Sequence, residues 1–311
     1  MPRIPFKKAV EDFVETQSKM KDWAQKTQED YKRELLRIRK TFAGRKPSCI
    51  SGDEILNYAE TNWSDLSPKT KSYYWNILKI FMEYVGNQEI NKIKFHIGNV
   101  KDRSVNWLSK EECELIRDVV EDMGGIYMMI FHLGRDLGLR RCEMQRLKWE
   151  HINFRMKSIS IHGKYDKWRS MPFHPLTEEY LERWEKKRDK MLERAKQYSK
   201  DVKDPKHVLC WQRFGSMGSM GNTVMDKRLK DIEERAAVEL GGFHILRRTF
   251  ARRLYNSGVQ IMTIRDLLGH ESVEVTQRYI GVQEDKKRDA LEIEFMNEKE
   301  MIENENLNLK E

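Results

Sequence analysis

The stretch 243–279 constrains this chain more than any other. Leu246, Phe250 and Leu254 recur there at the spacing of a buried helical face, and Asn256-Ser257-Gly258 then stops the helix. A second apolar helix runs through Ile264, Leu267 and Leu268 and ends at Gly269. His244 and Arg247 stand three residues apart, so on a helix their side chains share one face and reach one ligand. His270 follows the stop, and Tyr279 comes nine residues later. Nine residues of unbroken helix are about two and a half turns and would set the pair on opposite faces. The chain must therefore break between them: Gly269 supplies the break, and Ser272 is placed to cap a new short helix that returns Tyr279 toward the imidazole.

A tyrosine, two histidines and an arginine converging on one point suit phosphoryl transfer. A phenol with a pKa near 10 is only roughly one part in a thousand ionised at pH 7, so a nucleophilic tyrosine needs a base and a cationic cradle. Taken singly, His244 also reads as a satisfied core histidine and Tyr279 as a half-buried aromatic. Taken together, HILRRTF, then LLGH, then a tyrosine at this distance resemble the C-terminal signature of the tyrosine recombinase, or phage integrase, family.

A second match lies at 126–153, where a buried helix through Met129, Ile130 and Leu133 leads to Gly138-Leu139-Arg140 and on to Glu143, Leu147 and Trp149. This is similar to the family's first-arginine box, in which the arginine after Gly-Leu binds the scissile phosphate and the acid three residues on buttresses the site. Arg140 holds the matching position, with Arg141 as the alternative. A guanidinium suits the role because its fork offers paired donors to two phosphate oxygens and stays charged at any working pH. Residues 157–173 alternate as two strands round a tight turn. In the family the lysine of this hairpin reaches the minor groove, and Lys164 occupies its place. Arg169 matches a basic residue on the return strand and is expected to contact DNA. Tyr165 departs from the usual glycine and leaves Lys167 as a competitor. Arg248 stands where the family often has histidine, a change expected to leave catalysis unaffected.

The first part of the chain reads as four helices. The second carries the stripe Tyr31, Leu35, Ile38 and Phe42 on one side and Arg33, Arg37 and Lys40 on another; Ser51 opens the third, and Ser67-Pro68 opens the fourth, with Lys69, Lys71 and Lys79 on its surface. Such basic stripes read either as plain solvated surface or as ridges that contact phosphate. The unit resembles the SAM-like core-binding domain of the family, whose second and fourth helices face DNA. Periodicity then fails over 87–106, which carries Lys101 and Arg103 among its cations, until Ser109 and Glu112 open a new helix as a capping box. The expected fold is thus mainly α. It comprises a SAM-like four-helix DNA-binding domain at 1–90, a basic linker at 91–106, an α-rich catalytic domain with a small antiparallel β-sheet at 107–283, and a C-terminal helix and tail at 284–311. In the family such a tail docks on a neighbouring protomer. The glycine-spaced FGSMGSMGN follows no strand in a GxGxxG pattern and reads as a flexible loop.

A formal net charge of +8 favours a polyanionic partner. The four cysteines, Cys49, Cys113, Cys142 and Cys210, are scattered and favour neither a disulfide framework nor a zinc site. No apolar run approaches a membrane span and the start lacks a signal-peptide core, so a cytoplasmic protein is expected. The resemblance implies a site-specific recombinase that cuts duplex DNA through a 3'-phosphotyrosine, using Arg140, Lys164, His244, Arg247, His270 and Tyr279, with neither metal nor ATP. It also implies a homotetramer on synapsed DNA and a monomer when free. The alternatives are a type IB topoisomerase or telomere-resolvase-like enzyme, which use the same constellation, and a DNA-binding protein of this fold without catalysis.

Overall fold

The computed structural model describes residues 5–98, 105–163, 167–282, 291, 292 and 294–296. Its chain divides into two compact units, Met1–Arg103 and Ser104–Glu311.

The first unit packs α1 (Phe6–Lys21), α2 (Gln25–Thr41), α3 (Gly52–Trp63) and α4 (Pro68–Tyr84) round one aromatic-rich core. Each helix buries the face that its apolar period marks out: Phe6, Val10 and Phe13 from α1, Tyr31, Leu35 and Ile38 from α2, Ile55 and Trp63 from α3, Ile77 and Phe81 from α4. Burying each such large side chain is worth about 1.5–3 kcal/mol. The entries are capped: Ser51 and Glu54 form a reciprocal box at α3, and the Ser67 hydroxyl accepts from the Thr70 N–H at α4. The unit extends beyond position 90, into the stretch expected to be linker. Ile93 and Phe95 pack on its core, with the Phe95 ring 4.9 Å from Trp75 and 5.9 Å from Trp63. Buried Asn87 donates to the Pro47 and Ile50 carbonyls at 2.8 and 2.9 Å and so ties this return segment to the loop before α3.

In the second unit α5 (Lys110–Met123) starts at the Ser109–Glu112 box, and α6 (Ile126–Arg135) is buried from Met128 to Gly134. After α6 the chain turns sharply through Gly138, where φ is +61° and a Cβ would lie 2.4 Å from the Phe250 ring. That turn delivers Arg140 to the start of α7 (Arg141–Arg146). Strands β1 (Ile152–Asn153), β2 (Ser158–His162) and β3 (Trp168–Pro172) form an antiparallel sheet in the order β1-β2-β3, with Ile159 opposite Met171 and both turned to the core. α8 (Pro175–Tyr198) follows, its Trp184 indole donating to the Val208 carbonyl at 2.6 Å.

The segment 214–222, read as a flexible loop, instead carries the second strand of a hairpin, β5 (Ser216–Ser219), which pairs with β4 (Cys210–Arg213). Glycine and serine carry little strand propensity of their own. The pairing is set by Trp211, which stands opposite Gly218, fills the space a side chain would need there, and donates to the Ser219 carbonyl at 3.1 Å. α9 (Asn222–Ala236), α10 (His244–Asn256), α11 (Ile261–Leu268) and α12 (Val273–Ile280) complete the unit. The break between α11 and α12 is as the sequence requires: Gly269 adopts φ +62°, and the Ser272 hydroxyl accepts from the Val275 N–H. Among the described residues no helix is long and apolar enough to cross a membrane. Of the expected C-terminal helix, the described positions Leu291, Phe295 and Met296 are exposed.

Candidate active site

The site is organised round a buried carboxylate. Glu143, on the first turn of α7, accepts from the Arg140 backbone N–H at 2.8 Å and from its guanidinium at 2.7 Å, which fixes that side chain at the helix entrance. The same carboxylate takes both terminal nitrogens of Arg169, at 2.8 and 3.0 Å, and lies 3.6 Å from Arg247. Arg247 is buried on α10 and donates to the Gly138 and Leu268 carbonyls, so it pins the turn before Arg140 to the end of α11. One acid thus gathers guanidinia from three separate parts of the chain, through charge-assisted hydrogen bonds from Arg140 and Arg169 and an ion pair with Arg247.

Tyr279 stands on α12 beside this cluster. Its hydroxyl lies 3.5 Å from Nδ1 of His244 and donates to the His244 carbonyl at 3.3 Å. The His270 ring meets it edge-on, with centroids 5.2 Å apart. Nδ1 of His270 is held 3.0 Å from the Thr276 hydroxyl, which itself donates to the Ser272 carbonyl at 3.3 Å. With the hydroxyl proton so directed, Nδ1 carries the imidazole proton and Nε2 is left as the second ring nitrogen. Arg248 completes the setting, its guanidinium 5.5 Å from the centroid of the Tyr279 ring.

These charges work on one another. Burial opposes ionisation of Glu143, but Arg169, Arg247 and the Arg140 N–H more than reverse it and hold the carboxyl at about 2. Burial and the neighbouring Arg140 bring Arg247 down to about 9, which leaves it charged at neutral pH. His270 is pushed to about 3 by burial and then by Arg247, Arg140 and Arg169. Burial and the same cationic field lower His244. Burial raises the Tyr279 phenol, while Arg247, Arg248 and Arg140 oppose the rise. The free site therefore pairs fixed guanidinium charge with neutral imidazoles and a protonated phenol, a field suited to an oxyanion.

An open groove of about 470 Å³ runs past Arg140, Arg169 and His270, with Lys167 and Trp168 on its hairpin side. Five of the six candidate catalytic residues, Arg140, His244, Arg247, His270 and Tyr279, fall within this one region. Lys164 lies outside the described residues, as do Lys101 and Arg103. Arg141 pairs with Asp226 at 2.5 Å, and its charge adds to the field that lowers His244. Arg169 is tied into the site by its own bonds. Its terminal nitrogens hold Glu143 and its Nε donates to the Leu267 carbonyl at 3.0 Å, so it braces the wall of the groove that it lines. Sequence reasoning gave Thr276 no role and Arg248 a neutral one. The spacing of Arg248 four residues after His244 is a signal that both face α12.

In the first unit, Arg33 and Lys69 line a depression of about 340 Å³ together with Tyr73 and buried Glu34. Arg37 and Lys40 are exposed along α2, with Arg37 3.9 Å from Glu34. Arg33 pairs with Asp30 at 2.7 Å, and the Lys71 ammonium donates to the Ser64 carbonyl at 2.8 Å. Among the described residues no group of three or more His, Cys, Asp or Glu side chains is disposed to hold a metal ion.

Residues 106–286, more than half the chain, match the family model described as the phage integrase family. A tyrosine recombinase XerC of Oceanobacillus iheyensis is 30% identical over 217 residues, spanning 68% of this chain and 68% of the relative. Among solved structures, the XerH site-specific recombinase bound to palindromic difH substrate in a post-cleavage complex is similar with a TM-score of 0.66 at 21% identity, over 92% of this chain and 84% of that one. A lambda integrase tetramer bound to a Holliday junction is similar with a TM-score of 0.59 at 16% identity, over 87% and 76%. The two structures speak to the fold, whereas the family model covers the segment that carries the arginines, the histidines and the tyrosine. The chain belongs to the phage integrase family, the tyrosine recombinases.

Proposed function

We propose that this chain is a site-specific recombinase in which Tyr279 cuts one DNA strand by direct attack on phosphorus. The observation that carries the reading is the position of the Tyr279 hydroxyl within reach of His244 and beside His270, next to two arginines that share one buried acid. A bond forms from the phenolic oxygen to phosphorus and the bond to O5' breaks, leaving a 3'-phosphotyrosine and a 5'-hydroxyl. His244 takes the phenol proton, Arg140 and Arg247 neutralise the nonbridging oxygens as charge grows, and His270 adds a hydrogen bond to them. A His270 held neutral by the arginines gains a proton more readily once the phosphate offsets their field, which lets Nε2 donate. Lys164 supplies the proton for O5'. The phosphotyrosine keeps the energy of the broken bond, so a second 5'-hydroxyl rejoins the strand by reversal.

In this reading residues 1–90 grip duplex DNA through Arg33, Arg37, Lys40, Lys69 and Lys71, and Lys101 and Arg103 of the segment 91–106 add phosphate contacts. Residues 107–283 perform the chemistry. The tail 284–311 docks on a neighbouring copy, for which the exposure of Leu291, Phe295 and Met296 is the support. Strand exchange between two duplexes calls for four copies, in keeping with the lambda integrase tetramer on its junction. Action on chromosomal or mobile-element DNA puts the protein in the cytoplasm.

The test begins with selection of bound duplexes from a random-sequence pool, followed by a nicked suicide duplex of the recovered site. The wild-type protein is expected to form a covalent adduct, and Tyr279→Phe to bind equally and form none. Adduct formation by Tyr279→Phe at the wild-type level would remove Tyr279 from the role. Lys164→Ala is expected to be inactive on ordinary DNA and restored when the 5'-bridging oxygen is replaced by sulfur.

A further inference from the structure

The family reading gives Arg248 no task, yet its surroundings do. His244, Arg248 and Arg252 recur every four residues on α10 and form one stripe along α12. All three meet the nucleophile's own segment. His244 contacts the Tyr279 hydroxyl, the Arg248 guanidinium lies 5.5 Å from the centroid of the Tyr279 ring, and Arg252 donates to the Ile280 carbonyl at 3.2 Å. Among the described residues the buried Nε of Arg248 has no hydrogen-bond partner, and the Tyr279 ring is the aromatic face its guanidinium is set against. A cation against an aromatic ring is attracted by the negative face of its π-system, and more strongly when the ring bears a phenolate.

We propose that Arg248 is a positioning residue for the nucleophile, holding the Tyr279 ring in line with the phosphate and favouring its ionised form. The proposal rests on Tyr279 being the attacking group. Ring geometry and charge act together: the stack fixes the ring that His244 holds only through contacts of 3.3 and 3.5 Å, and the positive charge stabilises the oxygen as its proton leaves. Among the described residues, the other charged or titratable groups facing this phenol are His244 and Arg247 from α10, Arg140 from the entrance to α7, and His270 from the turn between α11 and α12. Among the described residues Arg248 is the guanidinium set against this ring, so its loss removes that cation from the ring face.

The test uses the full chain and a duplex of the selected site carrying a 5'-bridging sulfur, on which departure of the leaving group no longer depends on an added proton. Single-turnover adduct formation is followed from pH 6 to 10 for wild type, Arg248→Gln and Arg248→Lys, alongside DNA affinity and thermal midpoint. Arg248→Gln is expected to react about tenfold more slowly at neutral pH, with the gap closing as the pH rises, and Arg248→Lys to recover most of the rate. Wild-type behaviour of Arg248→Gln, or a loss of equal size at every pH that lysine does not restore, would overturn the proposal. A wild-type chain that forms no adduct on this duplex would instead sink the assignment of Tyr279 itself, and the role of Arg248 with it.

Discussion

Glu143 is the residue on which the geometry of the guanidinium cluster depends, because Arg140, Arg169 and Arg247 all face it. Glu143→Gln keeps its shape and removes its charge, leaving three neighbouring cations without their shared anion. Breaking a buried ion pair from one side costs about 3–5 kcal/mol. Urea denaturation is expected to show a loss of about that size, and adduct formation to fall by at least about a hundredfold as the arginines lose their aim. A variant as stable and as active as wild type would mean that the backbone carbonyls alone fix these side chains. His270 offers a second test at this scale. With its pKa near 3, its imidazole resonances in the free protein should stay those of the neutral ring through pH 5, and should move toward the protonated form on binding vanadate, a phosphate mimic. Titration near pH 6.5 in the free protein would contradict the field attributed to the arginines.

The short elements that carry the site are positioned by their ends. Ser272 caps α12 and also accepts, through its carbonyl, the Thr276 hydroxyl that orients His270. Ser272→Ala is expected to cost about 1 kcal/mol of stability and to slow adduct formation several-fold by letting α12 fray, read from thermal midpoints and single-turnover assays. Much of this layer is legible in the sequence because it is local. The break at Gly269, the cap at Ser272, and the box at Ser109 and Glu112 each rest on residues within a few positions of one another. The features not legible there depend on partners far along the chain. The bond from Arg169 to Glu143 spans 26 positions and could not be read locally, and β5 pairs with β4 where Trp211 covers Gly218. Phe95 looked like linker because the two tryptophans that hold it lie on earlier helices.

For the whole molecule, the depressed acids and histidine give stability a definite pH dependence. Glu143 and Asp136 are both held at about 2, below their ordinary 4.5 and 3.8, so the stability they contribute is present above those ordinary values and is lost as the pH falls through about 2. His270, at about 3 against 6.5, stays neutral in the fold while the unfolded chain takes up a proton, so its share is lost as the pH falls from 6.5 toward 3. The urea midpoint is expected to decline steadily from pH 7 to pH 3, and a flat profile would contradict it. The net charge of +8 also predicts strongly salt-dependent DNA binding, with Arg37→Ala weakening all duplexes alike and reducing the logarithmic salt slope by about one. The most direct measurement is mass spectrometry of the adduct formed on a nicked suicide duplex and digested with trypsin and nuclease. The predicted result is a nucleotide joined through its 3'-phosphate to the peptide that begins at Tyr279, after cleavage at Arg278. A nucleotide on any other side chain, or one joined through a 5'-phosphate, would contradict it.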